Sequence, residues 1–183
     1  MRVSIHDSKI DEAQAIFDLR SDTRLAGMQY RPSIFETPLS LFAILSPGPQ
    51  IPANGWMCST ILFDGEFAGH ITQIYHTSAH DESTALIGWN VIPELWGKSI
   101  APDAVGLLLQ DRFSKNDNIE FCAFCFESNA RCVRVLEKLG FENEQPRWSE
   151  RFRNFCRTYG RHKLLKYRLG CSQWAGAKQQ IIG

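Results

Sequence analysis

Apolar residues cluster in two short runs, W-M-C-S-T-I-L-F at 56–63 and E-F-A-G-H-I-T-Q-I-Y at 66–75, with Asp64-Gly65 between them. A two-residue Asp-Gly junction between β-rich runs predicts an antiparallel hairpin. A third run, T-A-L-I-G-W-N-V-I, predicts a strand over 84–92 that stops at Pro93. Elsewhere the apolar spacing is helical. Ala13, Ile16, Phe17 and Arg20 predict a helix over 8–20, with Ser8 or Asp7 as cap and Asp11 and Glu12 in its first turn. Residues 37–45 predict a second helix, with Thr37 as N-cap and Pro38 at the first helical position. Ala101, Ala104, Val105, Leu108 and Leu109 predict a third over 101–113, where Pro102 is tolerated in the first turn. A strand over 119–126 and a helix over 129–139 follow, the latter capped by Ser128 or Asn129 and ended by a left-handed Gly140. The stretch S-P-G-P-Q-I-P-A-N-G is a loop within one domain. The basic tail holds one or two further strands, R-H-K-L-L-K-Y-R-L being the clearer, and fraying is expected from Gln173 onward.

The order is helices, then antiparallel strands, then strand, helix, strand, helix and strand. That order predicts a mixed sheet with helices on its faces. Strands 84–92 and 119–126, joined through a helix, are expected to lie parallel. A chain of 183 residues supports one good core and is short for two.

Charge and cysteines narrow the functional classes. The formal net charge is zero, so no global field favours nucleic acid or a membrane surface. From Arg147 to Arg168 eight basic residues face a lone Glu150 in sequence, either a solvated strand face or a landing surface for an acidic partner. No run approaches the ~20 apolar residues of a membrane span. The N-terminus has no apolar run behind a basic head, which predicts a cytoplasmic chain with reduced cysteines. Cys122 and Cys125 form a C-x-x-C inside a predicted strand, where residues three apart point to opposite faces, so no shared metal is expected. His70 and His76 share a strand face about 20 Å apart, which is no metal spacing either.

The candidate chemistry lies at 96–101, between a strand end and a helix start. Amides there have no intrahelical partner, and the positive end of the helix dipole suits a diphosphate. Gly97 lets the chain bend close to a ligand and Ser99 adds a hydroxyl. The wording G-W-N-V-I-P-E-L-W-G-K-S-I-A-P-D-A-V, followed by N-A-R-C and L-E-K-L-G-F, resembles the GNAT N-acetyltransferases, in particular the branch of ribosomal-protein N-terminal acetyltransferases. The family's loop Gln/Arg-x-x-Gly-x-Gly/Ala stands here as Trp96-Gly97-Lys98-Ser99-Ile100-Ala101, and its Asn-x-x-Ser as Asn129 to Cys132. The resemblance is clear over 56–141 and faint before it.

What the resemblance implies is a single α+β (mixed α/β) domain with the GNAT fold. One mostly antiparallel sheet of six or seven strands would be flanked by helices. Residues 1–55 would be the substrate side, 56–141 the acetyl-CoA core and 142–172 the C-terminal strands. Acetyl-CoA would sit where two parallel strands splay, with no metal. Loop residues 96–101 would hold its pyrophosphate, backbone groups of Asn90, Val91 and Ile92 its pantetheine, and Asn129 would bond the pantetheine or the thioester neighbourhood. A primary amine, on a protein N-terminus or a small molecule, would accept the acetyl group directly. A backbone N–H near Val91 would serve the oxyanion and a group near Cys132 would protonate the leaving thiolate; in the sequence Glu94 is the acid nearest the loop, which makes Cys132 and Glu94 the catalytic candidates. Cys132, at a helix N-terminus that lowers thiol pKa, is also a possible acyl-accepting nucleophile. An exposed last strand could pair between subunits as a homodimer. The sequence departs from the pattern at four places. Trp96 opens the loop, Leu86 stands where a carboxylate is common, and Cys132 replaces serine. Ser99 replaces the central glycine and must avoid a left-handed conformation or accept strain. These departures leave open a domain that binds CoA esters without turning them over.

Overall fold

The computed structural model describes residues 2–25, 28, 55–75, 84–151 and 162–175. The helix expected over 37–45, His76 and the basic residues at 153, 157 and 161 lie outside them. Among the described residues seven strands form one sheet in the order β1-β2-β3-β4-β5-β7-β6. They are β1 Val3–Asp7, β2 Trp56–Phe63, β3 Glu66–Tyr75, β4 Thr84–Val91, β5 Glu120–Phe126, β6 Glu142–Glu144 and β7 Leu164–Leu169. Among the described residues three helices of nine residues or more accompany them: α1 Ala13–Ser21, α2 Ile100–Lys115 and α3 Ala130–Lys138.

The β2–β3 hairpin forms as its sequence predicts. Asp64 (φ 52°) and Gly65 (φ 91°) both take the positive φ that a type I′ turn demands. β1 was not expected. It pairs antiparallel with β2 and covers the edge of the hairpin. The helix expected from residue 8 begins instead as a 3₁₀ turn at Ile10–Glu12, because Asp7 ends β1 and the Ser8 hydroxyl is bonded to Thr60 Oγ1 at 2.8 Å. The capping contact comes from Glu12, whose carboxylate accepts from Lys9 N at 2.7 Å.

β4 and β5 are the parallel pair, but their register runs only from Thr84↔Glu120 to Leu86↔Cys122. Beyond those residues the strands part. β4 continues to Val91 held by β3 alone, and β5 continues to Phe126 held by β7. A wedge therefore opens in the middle of the sheet.

The two faces carry different helices. Ile61, Ile71, Ile87 and Val91 join the main core with Ala104, Val105, Leu108 and Leu109 of α2 and Leu136 of α3. Cys58, three residues before Ile61 and so on the opposite face of β2, packs with Ala13 and Ile16 of α1. The basic tail is largely neutralised where it is described. Lys166, buried in β7, lies 3.3 Å from Glu144 and 3.6 Å from Glu150, Arg168 pairs with Glu120 and Glu144, and Lys163 pairs with Glu127. The lone Glu150 of the sequence is joined in space by acids from β5, β6 and the turn after β5, so this part is an ion-paired strand surface.

Candidate active site

The wedge between β4 and β5 is the mouth of a cavity of ≈ 560 Å³ that passes through the sheet. On the α2 and α3 side its wall holds Trp96, Gly97, Ser99, Ile100 and Ala101, with Arg131, Arg134 and Lys138 of α3. On the α1 side it holds Arg20, Leu25, Met28, Thr72 and Asn90. Between them lie Cys125 and Cys132.

The loop is built for close approach. Gly97 sits at φ 85°, and a Cβ placed on it would meet no atom within 4 Å. Ser99 sits at φ 58°, ψ 13°, so this serine accepts the left-handed strain rather than avoiding it. Its carbonyl takes the first helical bond, from Asp103 N at 3.2 Å. The amides of Ile100 and Ala101 have no carbonyl four residues back within the helix, and Pro102 has no N–H to satisfy. Trp96 ties the loop to the strand by donating its indole N–H to Val91 O at 2.9 Å. The guanidinium of Arg131 lies 4.5 Å over the Trp96 ring, so a cation stands at the loop's opening although residue 96 supplies none. Lys98 turns the other way, with Nζ 5.6 Å over the ring of Phe63, and does not line the cavity.

On β4 the backbone assignment shifts. Ile92 N donates to Ala68 O at 2.9 Å and its carbonyl accepts from Leu95 N at 2.9 Å, so Ile92 is engaged within the protein. Strand backbone groups alternate in direction, so an Ile92 amide aimed at β3 turns the Val91 amide toward the wedge. By the same alternation Asn90 directs its backbone to β3 and its side chain to the cavity, and Trp89 replaces Asn90 and Ile92 beside Val91 as a backbone-pairing position. The Asn90 amide donates to Nε2 of His70 at 3.0 Å. His70 is fully buried and neutral, its pKa pushed down to about 3 by burial and by the nearby Arg20 charge.

Asn129 lines the cavity at the start of α3. Its Oδ1 caps α3 by accepting from Cys132 N at 3.1 Å, and its Nδ2 donates to Met28 O at 3.1 Å. Each end of the carboxamide makes one contact within the protein, which fixes the side chain in the cavity wall with one N–H and one lone pair to spare. Glu94 is exposed, does not line the cavity, and pairs with Arg24 at 2.6 Å, which holds its carboxyl below the usual range. Among the described residues no carboxylate lines the cavity.

The expected lowering of the Cys132 pKa is reversed. A hydrogen bond with the Cys125 thiol and then burial raise it well above the ordinary value. A thiol so held keeps its proton, which suits a donor and not a nucleophile. Iodoacetamide at pH 8 should therefore label Cys132 at least about tenfold more slowly than the same cysteine in the unfolded chain. Equal rates, read by mass spectrometry, would show a thiol of ordinary acidity.

Arg131, Arg134 and Lys138 escaped the sequence reading. Their spacing of three and four residues places them on one face of α3, a signal present in R-x-x-R-x-x-x-K. No cluster of three or more metal-ligating side chains occurs among the described residues.

The acetyltransferase (GNAT) domain model matches residues 2–142, and the chain belongs to that family. No curated protein matches the sequence. Among solved structures, the ribosomal-protein-S5-alanine acetyltransferase from Vibrio fischeri superposes with a TM-score of 0.70 at 17% identity, covering 95% of this chain and 96% of that one. The spermidine N-acetyltransferase from Vibrio cholerae in complex with CoA and spermine gives 0.71 at 14% identity, covering 94% and 98%. An aminoglycoside acetyltransferase in complex with coenzyme A and kanamycin gives 0.70 at 12%, covering 97% and 99%. At these identities the likeness is one of fold.

Proposed function

We propose that this chain is an acetyl-CoA-dependent N-acetyltransferase that acetylates a primary amine by direct transfer in a ternary complex. The observation that carries the reading is the wedge between β4 and β5, which opens directly onto the left-handed loop at 97–99 and the start of α2. Family membership and CoA-bound neighbours of the same fold support it.

In this reading the amides of 97–101 and the basic face of α3 take the phosphates. Trp89 and Val91 offer backbone groups to the pantetheine arm. The Val91 N–H then meets the thioester oxygen as negative charge develops there. The amine attacks as a neutral nucleophile from the α1 side, the C–S bond breaks as the C–N bond forms, Cys132 gives the departing thiolate its proton, and the proton shed by the new amide nitrogen returns to Cys132 through water. With no carboxylate in the described lining, alignment and desolvation carry much of the rate.

The lack of a carboxylate in the described lining favours one second reading, a domain that binds CoA esters without turnover. Calorimetry with acetyl-CoA, followed by thiol release over an amine panel, separates the two. Saturable binding with turnover of at least one amine is expected. Tight binding with no turnover would favour the second reading, and no binding would remove both.

A further inference from the structure

The C-x-x-C at 122–125 does not act as a pair, but Cys125 has another partner. Strand geometry turns Cys122 to the opposite face of β5, and Cys122 does not line the cavity. Cys125 instead meets Cys132, in the first turn of α3, and the two thiols are hydrogen-bonded to each other. Both are free and pack in or against the main core, and among the described residues they are the two cysteines in the cavity wall. Their hydrogen bond divides the roles, favouring the thiolate at Cys125 and the protonated thiol at Cys132. A thiolate held against a thiol and open to a cavity can attack a disulfide, with the second sulfur resolving the product. Acetyl transfer uses the Cys132 proton and gives Cys125 no part.

We propose that Cys125 and Cys132 form a redox-active dithiol that reduces a disulfide of coenzyme A. The inference rests on the coenzyme A reading of the wedge: an arm lying between β4 and β5 brings its sulfur to the wall that the two cysteines line. In a disulfide of coenzyme A the reactive bond falls at the same point, and the second half extends toward the α1 side. The Cys125 thiolate attacks one sulfur. A Cys125–S–S–CoA bond forms, the original S–S bond breaks, and the departing coenzyme A thiolate takes the Cys132 proton. The Cys132 thiolate then attacks the Cys125 sulfur. That step closes a Cys125–Cys132 bond and releases a second coenzyme A thiolate, which takes a proton from water. Two protein thiols are oxidised and one disulfide is reduced to two coenzyme A thiols. Only residues 127–129 join β5 to α3, so drawing the sulfurs together asks for a shift of the first turn of α3 and no unfolding. Once formed, the bond removes the proton that Cys132 gives in acetyl transfer, so the oxidised chain is idle until a dithiol reduces it.

The test treats reduced, reductant-free protein with the symmetric disulfide of coenzyme A and, separately, with oxidised glutathione at the same concentration. Chromatography counts the coenzyme A released, and peptide mapping locates the bond. About two equivalents of coenzyme A per chain and a Cys125–Cys132 link are expected. The rate should exceed that with oxidised glutathione by at least about tenfold, because binding holds the reacting bond in place. Cys132→Ser should stop at about one equivalent with coenzyme A held on Cys125, and Cys125→Ser should form no link; their thermal midpoints report folding. Cys122→Ser should behave as wild type. Dithiothreitol should restore the original mass and the acetyl transfer that oxidation removes. A link at any other cysteine, equal rates for the two disulfides, or thiols that stay reduced overturns the proposal, and the wild-type map decides this even if neither cavity variant folds. Calorimetry of the reduced protein with coenzyme A separates the readings. No binding sinks the acetyl-transfer reading, whereas binding with thiols left reduced sinks only this inference.

Discussion

Gly97→Glu is expected to weaken acetyl-CoA binding by at least about a hundredfold while the protein stays folded. The two halves of that expectation come from one geometry. The position is at φ 85° with nothing within 4 Å of an added Cβ, so the new side chain meets backbone strain and no packed neighbour. That strain is of the order of 1–2 kcal/mol, tolerable for a domain. The carboxylate, however, is placed beside the amides of 97–101, where the diphosphate is proposed to lie, and repels it. Calorimetry reads the loss, and circular dichroism reads the fold. Ser99→Gly is the informative contrast. It removes the cost of a left-handed serine at φ 58° without adding charge, so affinity should hold within about threefold and the thermal midpoint should rise by about a few degrees. Equal losses in both variants would mean that loop shape and not charge governs the site.

Gly69→Ala should damage the protein from the other side of β4. Gly69 faces Val91 across the β3–β4 ladder, and an added Cβ would fall 2.1 Å from Asn90 O and 3.0 Å from Val91 Cα. Both contacts are backbone, so neither can rotate away. The strand must shift, at a cost of about 3 kcal/mol or more. The shifted segment is the one that carries Asn90 and Val91 into the wedge, so acetyl-CoA affinity should fall together with stability. Urea denaturation and calorimetry on the same sample measure both. Wild-type stability in Gly69→Ala would mean that β4 has room the structure does not give it.

Local chemistry made much of the fold readable. Asp64-Gly65 determines its hairpin through two positive φ values, and Gly140 (φ 81°) ends α3 as its position requires. Asn129 emerges as the cap over Ser128 because its oxygen reaches Cys132 N. β1 was hidden because an edge strand of five residues, four of them half-buried, gives little contrast between faces. Asp7 and Ser8 look like caps in sequence, but strand pairing claims the first and Thr60 the second. β6 is Glu-Asn-Glu, three polar residues made a strand only by the antiparallel register with Lys166 and Arg168 on β7. In the site, the loop at 96–101 was legible because glycine and helix start are adjacent in sequence. The partners that modify its chemistry were not. Arg24 claims Glu94 across 70 positions, Met28 O claims Asn129 across 101, and Cys125 raises the Cys132 thiol from a neighbouring strand. These contacts exist only once α1 and α3 are folded against the sheet.

The central claim is that the gap between β4 and β5 receives the pantetheine arm while the amides of 97–101 hold the diphosphate. A crystal structure of the protein with coenzyme A tests it most directly. The account predicts diphosphate oxygens about 3 Å from backbone nitrogens of that loop, and an arm paired to Trp89 and Val91 on the side β5 vacates. Coenzyme A bound elsewhere, with the gap closed by protein side chains, would contradict it.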